Sequence, residues 1–66
     1  MKRYNLKMDR MKQDLTQKEM ATKLGISKSN YVSIELGLTD PSFKFLQRFS
    51  EVFNYSDVWD LFKKGD

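Results

Sequence analysis

The sequence predicts an all-α chain of five short helices, and three observations carry that reading. Apolar residues recur every three or four positions along most of the chain. Helix-start and helix-stop residues stand between those runs: Thr16, Ser27, Ser42 and Ser56 ahead of a run, and Asp14, Gly25, Gly37 and Asn54 behind one. β-branched alternation never lasts beyond a few residues, so no strand is expected.

Taken in order, residues 4 to 13 read as a first helix, with Leu6, Arg10 and Gln13 or Met11 at helical spacing and Asp14 ending it. Thr16 followed by Glu19 is a capping box, in which the hydroxyl accepts an orphan backbone N–H and the carboxylate reaches back. A second helix then runs from Gln17 to about Leu24, stopped by Gly25 in the left-handed conformation. Ser27 caps a third helix that continues to about Leu36, with Gly37 as its stop. Pro41 prevents continuation through the following loop. Ser42 caps a fourth helix with Phe43, Leu46, Phe49 and Phe53 on its core face. Ser56 caps a last short helix carrying Val58, Trp59, Leu61 and Phe62.

Sixty-six residues make one domain, 1–66, with a small core. No apolar run approaches the ~20 residues that span a bilayer, and no signal-peptide pattern opens the chain, so no membrane partner is expected. The absence of cysteine fits a reducing cytoplasm. Without His or Cys, and with neither a phosphate-cradling Gly loop nor usefully spaced carboxylates, nothing points to an enzyme, a metal or a cofactor. The formal charge of +3 is unevenly spread. Through Arg48 there are ten Lys/Arg against five Asp/Glu; beyond it Lys63 and Lys64 face Glu51, Asp57, Asp60 and Asp66. Concentrated basic charge suits a polyanion partner.

The second and third helices, joined by a short turn containing Gly25, form the helix-turn-helix arrangement. Ala21 is small where these helices must cross. Tyr31, Ile34 and Ile26 face the core, leaving Lys28, Ser29, Asn30, Val32 and Ser33 on the opposite face. In such motifs the second helix enters the major groove. There Asn suits adenine, Lys suits guanine, Ser is permissive and Val meets a thymine methyl, so these five are the candidate base readers, with a merely solvated face as the alternative.

The residues Leu15, Thr16, Gln17, Glu19, Met20, Ala21, Leu24, Gly25, Ile26, Ser27, Tyr31, Ile34, Glu35 and Gly37 resemble the pattern of the Cro/C1-type (Xre-like) helix-turn-helix domain. That domain is found in lambdoid phage repressors and small bacterial regulators. The likeness continues through Pro41-Ser42 and the fourth helix, and implies a compact, five-helix, lambda-repressor-like fold. It further implies that Gln17, at the start of the second helix, clamps a phosphate, with a good helix-starting residue as the alternative. Thr16 beside it is a further phosphate candidate, and Thr39 and Lys44, beside the loop after recognition, are candidates for a second backbone contact. An ion pair between Arg10 and Glu35 is implied as well, tying the first helix to the third. Three positions depart from the pattern: Asp9 in the first helix, Leu36 in place of a polar or basic residue, and a recognition helix with one cation, Lys28, against one anion, Glu35. A single copy is therefore expected to bind weakly.

Phe45 and Val52 fall off the expected core face of the fourth helix. With Tyr55, Trp59 and Phe62 they form a candidate dimer interface, although some could instead complete the core. The resulting expectation is a homodimeric repressor on double-stranded DNA, its recognition helices about 34 Å apart on a near-palindromic operator, with no small-molecule ligand. The alternatives are the antitoxin half of a toxin–antitoxin pair, or a protein-interaction module built on the same fold.

Overall fold

A computed structural model describes residues 2–55 and 58–62, with the backbone alone at Trp59 and Asp60. Its helices are α1 Tyr4–Lys12, α2 Gln17–Leu24, α3 Lys28–Glu35 and α4 Phe43–Phe53. The segment Trp59–Phe62 is one helical turn of four residues. The described residues thus hold four full helices and a turn where five helices were expected, and no strand. Ser56, Asp57, Lys63, Lys64 and Asp66, and with them the expected last cap and most of the acidic tail, lie outside the described residues.

Three hydroxyls start three helices as their spacing predicts. Thr16 Oγ1 accepts Glu19 N–H at 3.1 Å while Glu19 accepts Thr16 N–H at 2.9 Å, completing the capping box. Ser27 Oγ accepts from Asn30 N–H and Ser42 Oγ from Phe45 N–H, each at 3.1 Å. The stops are equally regular. Asp14, Gly25, Gly37 and Asn54 all have positive φ, between 57° and 78°. Each is followed by an N–H reaching back five residues: Leu15 to Arg10, Ile26 to Ala21, Leu38 to Ser33 and Tyr55 to Ser50. This is the Schellman closure, which satisfies carbonyls left open by the last turn. Asp14 makes the turn after α1, so that helix closes at Lys12 rather than Gln13.

α2 packs on both α3 and α4, while α1 packs on the Trp59–Phe62 turn and on α3. Leu6, Met20, Ala21, Leu24, Tyr31, Ile34, Phe45, Leu46, Phe49 and Phe62 form the core. Phe49 stands at its aromatic centre, 4.8 Å from the Phe53 ring, 5.8 Å from Tyr55 and 5.1 Å, edge-on, from Phe62.

Two expectations on α4 are overturned. Phe43 is 80% exposed rather than buried. As the first residue of the helix it has no preceding turn to cover, because helical side chains lean toward the N-terminus. Phe45 is buried rather than on an outer patch: four residues ahead of Phe49, it shares that residue's face, and its ring meets Phe62 edge-on at 5.6 Å. Phe62 is buried by the same contacts. Phe45 and Phe62 are therefore core residues of one chain, and neither forms an exposed dimer patch. Tyr55 is half-buried and donates its hydroxyl to Asp9. That bond gives the unexpected Asp9 a structural use, as does the bond it accepts from Gln13 Nε2 at 2.8 Å. Of the predicted interface only Val52 is exposed; the Trp59 side chain lies outside the described residues.

Candidate nucleic-acid interface

α3 is short, and eight residues alone would not hold a helix in water. Its inward face, Tyr31, Ile34 and Glu35, is buried, which turns Lys28, Ser29 and Asn30 to solvent; Val32 and Ser33 are half-buried at its margins. The five candidate base readers thus share one side of the helix, with the first three the most accessible.

The back of α3 is fixed by charge. Arg10 Nε and Nη2 donate to the two Glu35 carboxylate oxygens at 3.0 and 3.3 Å, the forked geometry that only Arg supplies. Arg10 Nη1 also holds Leu15 O at 2.8 Å, so one guanidinium joins α1, the α1–α2 turn and α3. Burial alone would raise the Glu35 carboxyl, but the Arg10 hydrogen bonds and charge, helped by Gln17, outweigh it and hold the group below its ordinary value of 4.5. Hydrogen bonding to Glu35 raises Arg10 in turn. Burial, reinforced by the same carboxylate, pushes the Tyr31 phenol up.

Gln17, the candidate phosphate clamp, is half-buried at the start of α2 and donates Nε2 to Glu35 Oε1 at 3.3 Å. Thr16 beside it is exposed, its hydroxyl oxygen occupied by the helix cap. Thr39 and Lys44 are exposed in the loop after α3 and the first turn of α4. The candidate phosphate residues therefore occupy two separate places, at the start of α2 and beyond the end of α3.

Two arginines escaped the sequence reading. Arg3 is 2% exposed and serves as a hub: Nε donates to Phe62 O at 2.9 Å, Nη1 to Ile34 O at 2.5 Å and Thr39 O at 3.0 Å, and Nη2 to Asp40 at 2.9 Å. Its own N–H donates to Glu35 O at 2.9 Å. It thereby fastens the end of α3, the loop carrying Thr39 and the Trp59–Phe62 turn to one another. The second is Arg48, whose guanidinium lies over Gly25 at the turn between α2 and α3. The only sequence signal for either is residue choice, because the chain uses nine lysines and three arginines, Arg3, Arg10 and Arg48.

The helix-turn-helix family model matches residues 6–59, from within α1 through the end of α4. The chain belongs to the Xre/Cro-like helix-turn-helix family. It is 40% identical over 62 residues to YqaE of Bacillus subtilis, an uncharacterized HTH-type transcriptional regulator; the match covers 94% of this chain and 52% of YqaE. The chain thus spans about half the length of that relative. An uncharacterized HTH-type transcriptional regulator of Methanocaldococcus jannaschii is 37% identical, with 86% and 85% of the two chains covered. Another, from Archaeoglobus fulgidus, is 33% identical, with 91% and 83% covered. No solved structure matches the chain. Among the described residues no helix of this family member is long and apolar enough to cross a membrane.

Proposed function

We propose that the protein is a sequence-specific DNA-binding transcriptional regulator that represses by occupying a near-palindromic operator as a homodimer. The observation that carries this reading is the exposed start of α3, where Lys28, Ser29 and Asn30 face solvent on a helix locked from behind by Arg10, Glu35 and Arg3. Rigid presentation matters because base edges are read by hydrogen bonds that tolerate little misplacement. Val32 and Ser33 extend the reading face. Thr16, Gln17, Thr39 and Lys44 flank it on both sides, suited to phosphates that set register without reading sequence. The names of the three relatives agree with a regulatory role.

A second copy is needed because α3 offers a single cation, so one domain brings little charge into the groove itself. The burial of Phe45 and Phe62 moves the dimer face to the side of α4 on which Phe43 is still exposed; Val52, nine residues on, stands on the opposite side of that helix. For two α3 helices to enter successive major grooves on one face of a duplex, an isologous contact through that helix has to hold them one duplex turn, about 34 Å, apart. Sequencing of duplexes retained by the purified protein from a random library tests the reading. A two-fold-related motif with half-sites about ten base pairs apart is the expected result, and recovery of unenriched DNA rejects it.

A further inference from the structure

We infer that Arg48 is a phosphate-binding residue that, with Lys44, forms a two-cation rail for the backbone of the duplex alongside the start of α3. This rests on the DNA-binding reading above and adds a contact that the motif itself does not contain. Arg3 and Arg10 spend their guanidinium forks on internal acceptors, whereas Arg48 makes no hydrogen bond or ion pair among the described residues. Nor does Lys44. Both project from α4 four residues apart, hence on one face of the helix.

The position of Arg48 is set by Gly25. A Cβ there would stand 3.0 Å from Arg48 Nη2, so the missing side chain leaves the guanidinium room to lie across the turn that leads into Ser27 and α3. Arg48, Lys44, Ser42 and Asn30 line one open cleft with that turn. Its one carboxylate, Asp40, is ion-paired to Arg3 at 2.9 Å, so the cleft keeps a net positive edge. An unoccupied planar fork beside a second cation and a hydroxyl suits a phosphodiester oxygen pair, and Arg takes it bidentately where Lys offers only a point charge. The rail lies next to Asn30, so a phosphate held there would fix how deeply α3 sits in the groove.

The test is the salt dependence of binding to the duplex enriched by selection, measured for the unsubstituted protein, Arg48→Gln, Arg48→Lys and the double variant Arg48→Gln/Lys44→Gln. Each lost phosphate contact should lower the slope of log affinity against log salt by about 0.9, and the double variant by about 1.8. Arg48→Lys should keep the slope while binding more weakly. The loss should be the same on selected and mismatched duplexes, since phosphate contacts carry no sequence. An unchanged slope in Arg48→Gln, or a loss confined to the selected sequence, overturns the assignment while leaving the regulator reading intact. Failure of the unsubstituted protein to bind any duplex removes both.

Discussion

Replacing Arg3 by Ala should be among the most damaging single changes in the molecule, although the residue lies outside every helix. The guanidinium donates to the carbonyls of Phe62, Ile34 and Thr39 and to Asp40, at 2.5 to 3.0 Å. The Asp40 bond counts for little, since that carboxylate is 81% exposed and a surface ion pair contributes at most about 1 kcal/mol. The bonds to Phe62 and Ile34 are buried, and loss of hydrogen bonds to a charged group costs about 1.5–3 kcal/mol each, not fully additively. A destabilisation of about 3 kcal/mol follows. For a domain of this size that lowers Tm by roughly 12–24 °C, against a total stability of only about 3–10 kcal/mol. Thermal unfolding followed by far-ultraviolet circular dichroism, with urea titration at 25 °C, reads the effect. Arg3→Lys should recover less than half of the loss, because one ammonium cannot reach carbonyls on three segments at once. A melting temperature within about 3 °C of the unsubstituted protein would refute the hub.

Other outcomes follow from the same geometry. Because the Glu35 carboxyl lies below 4.5 in the folded chain, its contribution to stability is fully present above that pH and is lost as pH falls through the depressed value. The urea midpoint of Glu35→Gln should therefore lie well below the unsubstituted protein's at pH 7 and approach it only once the pH has fallen through that depressed value; a gap unchanged by acid would exclude the ion pair as its source. Phe45→Ala should cost about 3–5 kcal/mol as a buried aromatic truncation, whereas Phe43→Ala should change unfolding of the monomer by less than about 0.5 kcal/mol. Reversal of that order in urea titrations would restore the core face read from sequence. Phe43→Ala should also weaken self-association in sedimentation equilibrium if the dimer forms through α4. The Tyr55 phenol, pushed up to about 12 by its bond to Asp9, should titrate about two units above an ordinary tyrosine, and an Asp9→Asn change should bring its ultraviolet transition back toward 10.

Elements whose cause lies within a few residues were legible in the sequence. The Thr16–Glu19 box, the Ser27 and Ser42 caps and the left-handed stops at Gly25 and Gly37 act over three to five residues, and the helix limits follow from them. Faces were harder to read. On α4 a three–four spacing beginning at Phe43 and one beginning at Phe45 both end on Phe49, and only the approach of Phe62 from elsewhere in the chain decides between them. The Arg10–Glu35 pair was accessible through family resemblance, not through spacing, since 25 residues separate the partners. Arg3 was not accessible at all. Apart from the exposed Asp40 carboxylate, its acceptors are main-chain carbonyls 31, 36 and 59 residues away, and carbonyls leave no mark in a sequence. Arg48 is similar: what gives it meaning is the missing side chain of Gly25, which a local reading explains completely by its positive φ.

In the proposed reading the exposed start of α3 contacts bases, while Thr16, Gln17, Thr39, Lys44 and Arg48 around it hold phosphates. Repeating the library selection with Lys28, Ser29 and Asn30 all changed to Ala tests it most directly. The expected result is a folded protein that still binds duplex DNA in a salt-dependent way but enriches no motif, or one relaxed at the positions those side chains contact. Recovery of the original motif by the triple variant would contradict it.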